Sequence, residues 1–292
     1  MVLLNAKKSK KDDRDIIFDN LCRTNNILDK CDYTNQLLPV RDQGEQGTCY
    51  AQSAACVKEW QEKKSRYLSP QYIYNNREYW NNNVLDGTDV NEDYGMEGRD
   101  VMRIMKNIGV CDEDIYPYGT LETAKNIPDN IHTAAKSNII KGYARINTIN
   151  SLKEALCKNG PCLIAFPVFN YTDQMWIKNQ ENDKLLGGHA MTVVGFDDKL
   201  QYFKIRNSWG KNWGDKGYTY YHYKDWDSHW EIWTTIDDLS NNNTTTEDSS
   251  DSQDNNNNNE DENLDVDDDI DTSNNKIKDM IKKICEKITG NK

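Results

Sequence analysis

Apolar positions in the first half of the chain recur at helical intervals, whereas in the second half they run continuously or alternate. Ala51 to Glu62 is rich in helix formers, and Thr48 stands where a cap would start it. Tyr67 to Trp80 is aromatic-rich and entered through Ser69-Pro70, which predicts a second helix with Pro70 in its first turn. Asn81 to Gly98 reads as loop. Val101, Ile104, Met105 and Ile108 then mark a helix over Arg99 to Ile108, ended by Gly109. Beyond Tyr116-Pro117-Tyr118 the pattern changes. Ile139 to Ile146 has strand-like content, Ser151 to Cys157 forms a short helix, and Pro161 to Val168 is a buried strand. Three β segments follow, His189 to Phe196, Tyr202 to Arg206 and the aromatic Gly217 to Tyr223. Helices first and strands later predict an α+β protein with two lobes.

The two ends are of another kind. Residues 1–35 are polar and irregular, apart from a weak helical patch at Ile16, Ile17, Phe18 and Leu21. Asn241 to Asn275 holds twelve Asp/Glu and no Lys or Arg, which equals the whole formal net charge of −12. That segment has too little apolar content to offset chain entropy and is expected to be disordered. Residues 276–292 carry six Lys against two acids and place Ile277, Met280, Ile281, Ile284 and Ile288 on one face of a short basic helix. The ordinary reading is a helix resting loosely on its own domain; a weak partner or membrane-surface contact is the second.

The acidity therefore belongs to the tail. Charges of −12 and +4 in those two segments leave −4 for residues 1–240, so the basic footprint of a nucleic-acid binder is missing. Mean hydropathy is −0.92, and no run approaches the roughly 18 apolar residues of a membrane span. The start, Met1-Val2-Leu3-Leu4-Asn5-Ala6-Lys7-Lys8, turns polar too soon for a secretory signal. A monomer in a reducing, intracellular compartment is expected. The eight cysteines, spread over 292 residues, then argue for thiols rather than a disulfide framework. Cys157 and Cys162 resemble half a zinc site, but no second close Cys/His pair accompanies them. No metal or organic cofactor is expected.

Three segments carry candidate chemistry. In Gln43-Gly44-Glu45-Gln46-Gly47-Thr48-Cys49-Tyr50-Ala51 a thiol stands where a glycine-bearing loop becomes a helix. The helix dipole there favours thiolate, and Gln43 is placed to offer an amide to a developing oxyanion beside the Cys49 N–H. Alone, the segment is equally a small buried cysteine on a helix. In Gly187-Gly188-His189-Ala190-Met191 a histidine opens a strand, where a hydrogen-bonded core histidine is the ordinary alternative. In Arg206-Asn207-Ser208-Trp209-Gly210-Lys211-Asn212-Trp213-Gly214-Asp215-Lys216-Gly217-Tyr218 two Trp-Gly pairs follow an Asn. Such an Asn can hold an imidazole, with the adjacent Trp shielding the bond from water.

Taken together, these segments resemble the papain-like cysteine proteases from about Leu38 to Ile236. The order Gln, Cys, His, Asn matches, and so do the separations, 140 residues from Cys49 to His189 and 158 from Cys49 to Asn207. The resemblance implies a two-lobe fold, helical on the left and an antiparallel β-barrel-like sheet on the right, with the site in the cleft. It implies Cys49 as nucleophile, paired with His189 as thiolate and imidazolium, Asn207 orienting His189, and Gln43 in the oxyanion hole. Trp209 becomes a lid over the Asn–His contact and Trp213 a wall on the leaving-group side. Peptides or proteins are the implied substrates. The implied boundaries are a short leader or propeptide-like segment at 1–35, a peptidase domain at 36–240 (helical lobe 43–128, β lobe 129–237), a linker at 241–275 and a terminal helix at 276–292.

The departures sharpen the expectation. Gln46 stands where the family commonly has a second cysteine, and Gly95-Met96-Glu97-Gly98-Arg99 replaces the segment carrying its partner. The disulfide beside the site is therefore lost, and Arg99 takes a position near Gly98 where the family uses glycine to hold substrate backbone. The wall of the pocket for the residue two before the scissile bond is expected near Thr235. These features look most like the compact members of bacteria and large DNA viruses. With only some 35 residues before the core, any propeptide is short; residues 1–30 either are disordered or drape over the cleft. Pro117 to Lys141 holds one histidine, His132, and lacks room for a paired-histidine occluding loop, so endopeptidase activity is expected. The alternatives are a catalytically idle binding module of the same fold and an isopeptidase using the same triad.

Overall fold

The structure, a computed structural model, describes residues 3–21, 27–77, 93–237 and 275–283. Its helical side is built from α1 (Cys49–Gln61), α2 (Pro70–Asn75), α3 (Gly98–Asn107) and α4 (Asp129–Ala135). Ser69 caps α2, its hydroxyl accepting from the Tyr72 N–H at 3.0 Å, and Pro70 takes the first helical position, where an N–H would have no intrahelical partner. Thr48 precedes α1 without capping it; its hydroxyl is spent on Tyr118 Oη at 2.8 Å. Gly109 ends α3 at φ +83°, and a Cβ there would lie 2.2 Å from the Ala135 carbonyl oxygen. The part of the Tyr67–Trp80 helix beyond residue 77, and most of the Asn81–Gly98 loop, lie outside the described residues.

The β side is a seven-stranded sheet. Along it run β4 (Gly142–Ile146), β9 (Glu231–Ile236), β5 (Cys162–Val168), β6 (Gly187–Asp197), β7 (Tyr202–Arg206) and β8 (Tyr218–His222), with β2 (Lys30–Asp32) also paired to β6. Every pairing in it is antiparallel. Helix α5 (Ile149–Asn159), capped by the Thr148 hydroxyl on Ser151 N, packs against it. One core lies within this side, around Phe166, Met191, Phe203, Tyr221 and Ile232. A second joins α1 and α3 to Leu163, Ala165, Ala190 and Trp233 of the sheet. The α+β, two-sided reading holds.

Two expectations need correction, and a third becomes more definite. Helix α4 packs Ile131 and Ala135 against Tyr72 and Cys111, so it belongs to the helical side and the lobes part after it rather than at 129. The first 35 residues are ordered where described: Ile16 and Phe18 are buried in the sheet core, and the Ile16 carbonyl accepts from Arg145 N at 2.8 Å. Burying two such side chains contributes about 3–6 kcal/mol, which a polar leader could not supply. At the other end residues 275–283 form a helix, α6, with Ile277 and Ile281 buried in the same core. In its described part the helix therefore rests on the chain's own sheet, through Ile277 and Ile281. Ile284 and Ile288, and the acidic linker up to residue 274, lie outside the described residues.

Candidate active site

Cys49 is the first residue of α1 and His189 the third of β6, and the two elements pack directly together. The Cys49 thiol accepts a hydrogen bond from the N–H of Ala190, the residue after His189. Asn207 follows β7, where the turn to β8 begins, and its Oδ1 lies 2.7 Å from His189 Nε2. A carbonyl oxygen only accepts, so Nε2 carries the proton and Nδ1 keeps its lone pair. Nδ1 is buried without a hydrogen-bond partner among the described residues. The Trp209 ring covers the imidazole, with centroids 4.3 Å apart and planes at 32°. Trp213 stands edge-on to Trp209 at 5.5 Å.

Gln43 completes the cluster. Its Nε2 donates to the Gln46 carbonyl at 2.9 Å, leaving one amide hydrogen, and its Oε1 accepts from Ser208 Oγ at 2.7 Å. Ser208 also receives the Gln43 N–H on its carbonyl at 2.8 Å and gives its own N–H to Asn207 Oδ1 at 2.7 Å. One residue therefore fixes both amides of the site. Sequence reading passed over Ser208 because its side-chain role lies across the chain, with only its place beside Asn207 as a signal.

The electrostatics differ from the expected ion pair. Burial pushes the Cys49 thiol up to about 11, although the Ala190 and Tyr50 N–H groups pull it down. Burial likewise holds His189 at about 4, with the Asn207 hydrogen bond opposing. Both residues are wholly shielded from solvent, and desolvation of either charge outweighs the helix dipole that favours thiolate. Burial in this covered form thus favours the neutral thiol and neutral imidazole over the ion pair.

The shield is the chain's own start. Leu4 O accepts from Gly188 N at 3.1 Å, and β1 (Ala6–Lys7) pairs in parallel with β3 (Met96–Glu97). Asn5 Nδ2 donates to the Asp93 carbonyl at 2.7 Å. Leu4 to Lys7 thus lies between Gly187-Gly188 on the β side and Gly95-Glu97 on the helical side. Gly95 must be glycine here, since at φ +75° a Cβ would fall 1.7 Å from the Asn5 carbonyl oxygen. A second set of bonds anchors the segment after it. Ser9 Oγ donates to Glu231 Oε1 at 3.0 Å and accepts from Arg99 N at 3.0 Å, while Arg99 pairs with Asp15 at 2.7 Å.

The remaining cleft residues are thereby relocated. Arg99 is buried against the leader, where its guanidinium pairs with Asp15, and it is Gly95 that lies against the Asn5 carbonyl. Gly98 backs onto Glu231, where a Cβ would lie 2.5 Å from Oε1. Thr235 is not at the cleft: it is buried in β9 and accepts from Gln61 Nε2 at 2.9 Å, tying α1 to the sheet. Glu231, four residues earlier, is the β9 side chain that reaches Gly98, Tyr50 and Ser9. Among the described residues no cluster of His, Cys, Asp or Glu forms a metal site, and no helix is long and apolar enough to cross a membrane.

Comparison with known proteins gives the family and the fold. The profile of the papain family cysteine proteases matches residues 26–236. Mouse (Mus musculus) cathepsin K is 31% identical over 211 residues, covering 66% of this chain and 59% of that protein. An uncharacterized peptidase C1-like protein of Acanthamoeba polyphaga mimivirus is 29% identical over 208 residues, 65% of this chain and 66% of that one. The chain thus spans about three-fifths to two-thirds of the length of the curated relatives it matches. Xylellain, a cysteine protease from Xylella fastidiosa, superposes with a TM-score of 0.67 at 27% identity, covering 80% of this chain and 95% of that chain. A digestive procathepsin L 3 of Tenebrio molitor shares the fold at 18% identity and a TM-score of 0.62, over 80% of this chain and 76% of that chain.

Proposed function

The chain belongs to the papain family of cysteine proteases, and we propose that it is an endopeptidase acting through Cys49, His189, Asn207 and Gln43. The observation that carries this reading is the 2.7 Å contact between His189 Nε2 and Asn207 Oδ1. It leaves Nδ1 as the ring's unengaged base while the Cys49 thiol is held at the next residue's N–H. Nδ1 takes the thiol proton as sulfur attacks the scissile carbonyl, then delivers it to the departing amine. The oxyanion is received by the Cys49 N–H and by the Gln43 amide hydrogen that Gln46 does not use. Water, deprotonated by the same Nδ1, hydrolyses the thioester.

Residues 1–35 act in this reading as a leader that occupies the cleft. While Leu4 to Lys7 is seated, substrate has no access and neither member of the pair ionises. Displacement or cutting of the leader admits water and lets the helix dipole and the imidazole stabilise the thiolate.

The test is hydrolysis of a panel of fluorogenic dipeptide amides by the chain lacking residues 1–8, whose cleft is uncovered, and by its Cys49→Ala variant. Turnover that disappears with Cys49→Ala supports the peptidase. Turnover that persists in the variant would assign the chemistry elsewhere, and a chain inert to both substrate and an epoxide inhibitor would be a binding module.

A further inference from the structure

Away from the cleft, two half-buried cysteines meet. Cys31 is the middle residue of β2 and lies opposite Phe196 of β6. Helix α5 crosses the same spot, with Lys153 Nζ 5.9 Å from the Phe196 ring centroid and Cys157 one turn further along. Two residues past Cys31, the Tyr33 hydroxyl donates to the Leu156 carbonyl at 2.7 Å, which locks β2 onto the residue before Cys157. In this setting the two thiols hydrogen-bond to each other, and the Leu28 N–H also points at the Cys157 sulfur.

We infer that Cys31 and Cys157 form a reactive thiol pair that closes to a disulfide when a small-molecule disulfide such as oxidised glutathione reaches it. The Cys31 thiol and the Leu28 N–H both donate to Cys157 and lower its thiol below the usual value, whereas the thiol of Cys31 is pushed up. Cys157 is therefore the attacking sulfur. Its thiolate breaks the glutathione S–S bond, forms a mixed disulfide and releases one glutathione thiolate, which picks up a proton. Cys31 then loses its proton to solvent and attacks the Cys157 sulfur, releasing the second glutathione. Two protein thiols are oxidised and one glutathione disulfide is reduced.

The same conditions spare Cys49, which is fully buried and whose thiol is pushed up to about 11. The bridge would fasten β2, and with it the downstream end of the leader, covalently to α5. Cys162 is the competing sulfur; it is buried in β5 and directed at the Gly160 carbonyl at 3.5 Å. This inference does not rest on the peptidase reading.

The experiment incubates the folded full chain with oxidised glutathione, alkylates remaining thiols, and maps tryptic peptides without reduction. Lys158 separates Cys157 from Cys162, and Arg23 and Lys30 separate Cys22 from Cys31, so each linkage is read individually. The expected product joins the Cys31 and Cys157 peptides. Cys31→Ser is expected to stop at a glutathione adduct on Cys157, and Cys157→Ser to leave Cys31 alkylated. Cys31 and Cys157 both recovered alkylated from the native chain, a stable glutathione adduct there, or linkage of either to Cys22 or Cys162 would overturn the inference.

Discussion

Arg99 grips Asp15 with two hydrogen bonds, Nε to Oδ1 at 2.8 Å and Nη2 to Oδ2 at 2.7 Å. The contact joins the first turn of α3 to the leader just after it leaves the cleft. Arg145 adds a third bond to Asp15 at 3.3 Å and reaches Glu231 at 3.1 Å. Glu231 in turn takes Ser9 and the Tyr50 hydroxyl. Two buried acids and two arginines thus hold the segment that covers Cys49.

Removing one partner leaves the others buried and uncompensated. Asp15→Ala is expected to weaken the closed form by about 3 kcal/mol, on the order of a hundredfold in the open population. Initial peptide hydrolysis by the uncut chain should rise accordingly. An initial rate equal to the native chain's would show that these anchors do not gate the site.

Leader length separates covering from packing. A chain lacking residues 1–8 keeps Ile16 and Phe18 in the core and should expose Cys49 to iodoacetamide, with alkylation at least about tenfold faster at neutral pH. A chain lacking residues 1–30 should also lose about 3–6 kcal/mol of stability as those two side chains go. Thermal unfolding of the two truncations checks the difference.

The buried pair gives the closed form a defined pH response. His189 titrates near 4 when folded, and burial holds His229 at about 4 as well. Both bind protons near 6.5 when unfolded. Between those values the unfolded chain holds more protons, so stability is complete above about 6.5 and falls as pH drops toward 4. At the alkaline end Cys49 keeps its proton up to about 11, so alkylation of the covered thiol should climb with pH toward that value. Unfolding midpoints across the acid range, repeated with His189→Gln, should show a shallower fall in the variant.

Ser208 positions Gln43 and Asn207 without touching substrate. Ser208→Ala removes the hydroxyl that holds Gln43 Oε1 and should lower kcat/KM by about tenfold, roughly 1–2 kcal/mol. Gln43→Ala removes the proposed oxyanion donor and should cost on the order of a hundredfold or more in kcat. Ser208→Cys, which keeps a weak donor, should fall between native and Ser208→Ala.

The elements that position the site were legible where local chemistry decides them. Ser69-Pro70 announces α2, the spacing of Val101, Ile104 and Met105 announces α3, and the apolar runs announce β5 and β6. Glycine and tryptophan punctuation around Cys49, His189 and Asn207 marked the cluster before any contact was known. What stayed hidden depends on distant partners. Ile16 and Phe18 look like a stray patch until the sheet receives them, and Ile277 and Ile281 look like a free amphipathic face until the same core covers it. Glu231 sits on a strand that periodicity did not separate from its neighbours, so Thr235 was taken for the pocket wall. Arg99 could not be placed because Asp15 is 84 residues away.

In the proposed reaction Cys49 carries the acyl group of a cleaved substrate. The most direct measurement mixes the chain lacking residues 1–8 with an activated peptide ester, quenches in acid within one turnover and maps the acylated residue by mass spectrometry. The acyl group is predicted on Cys49, with none accumulating in His189→Ala. An acyl group on another residue, or none while the ester is turned over, would contradict the account.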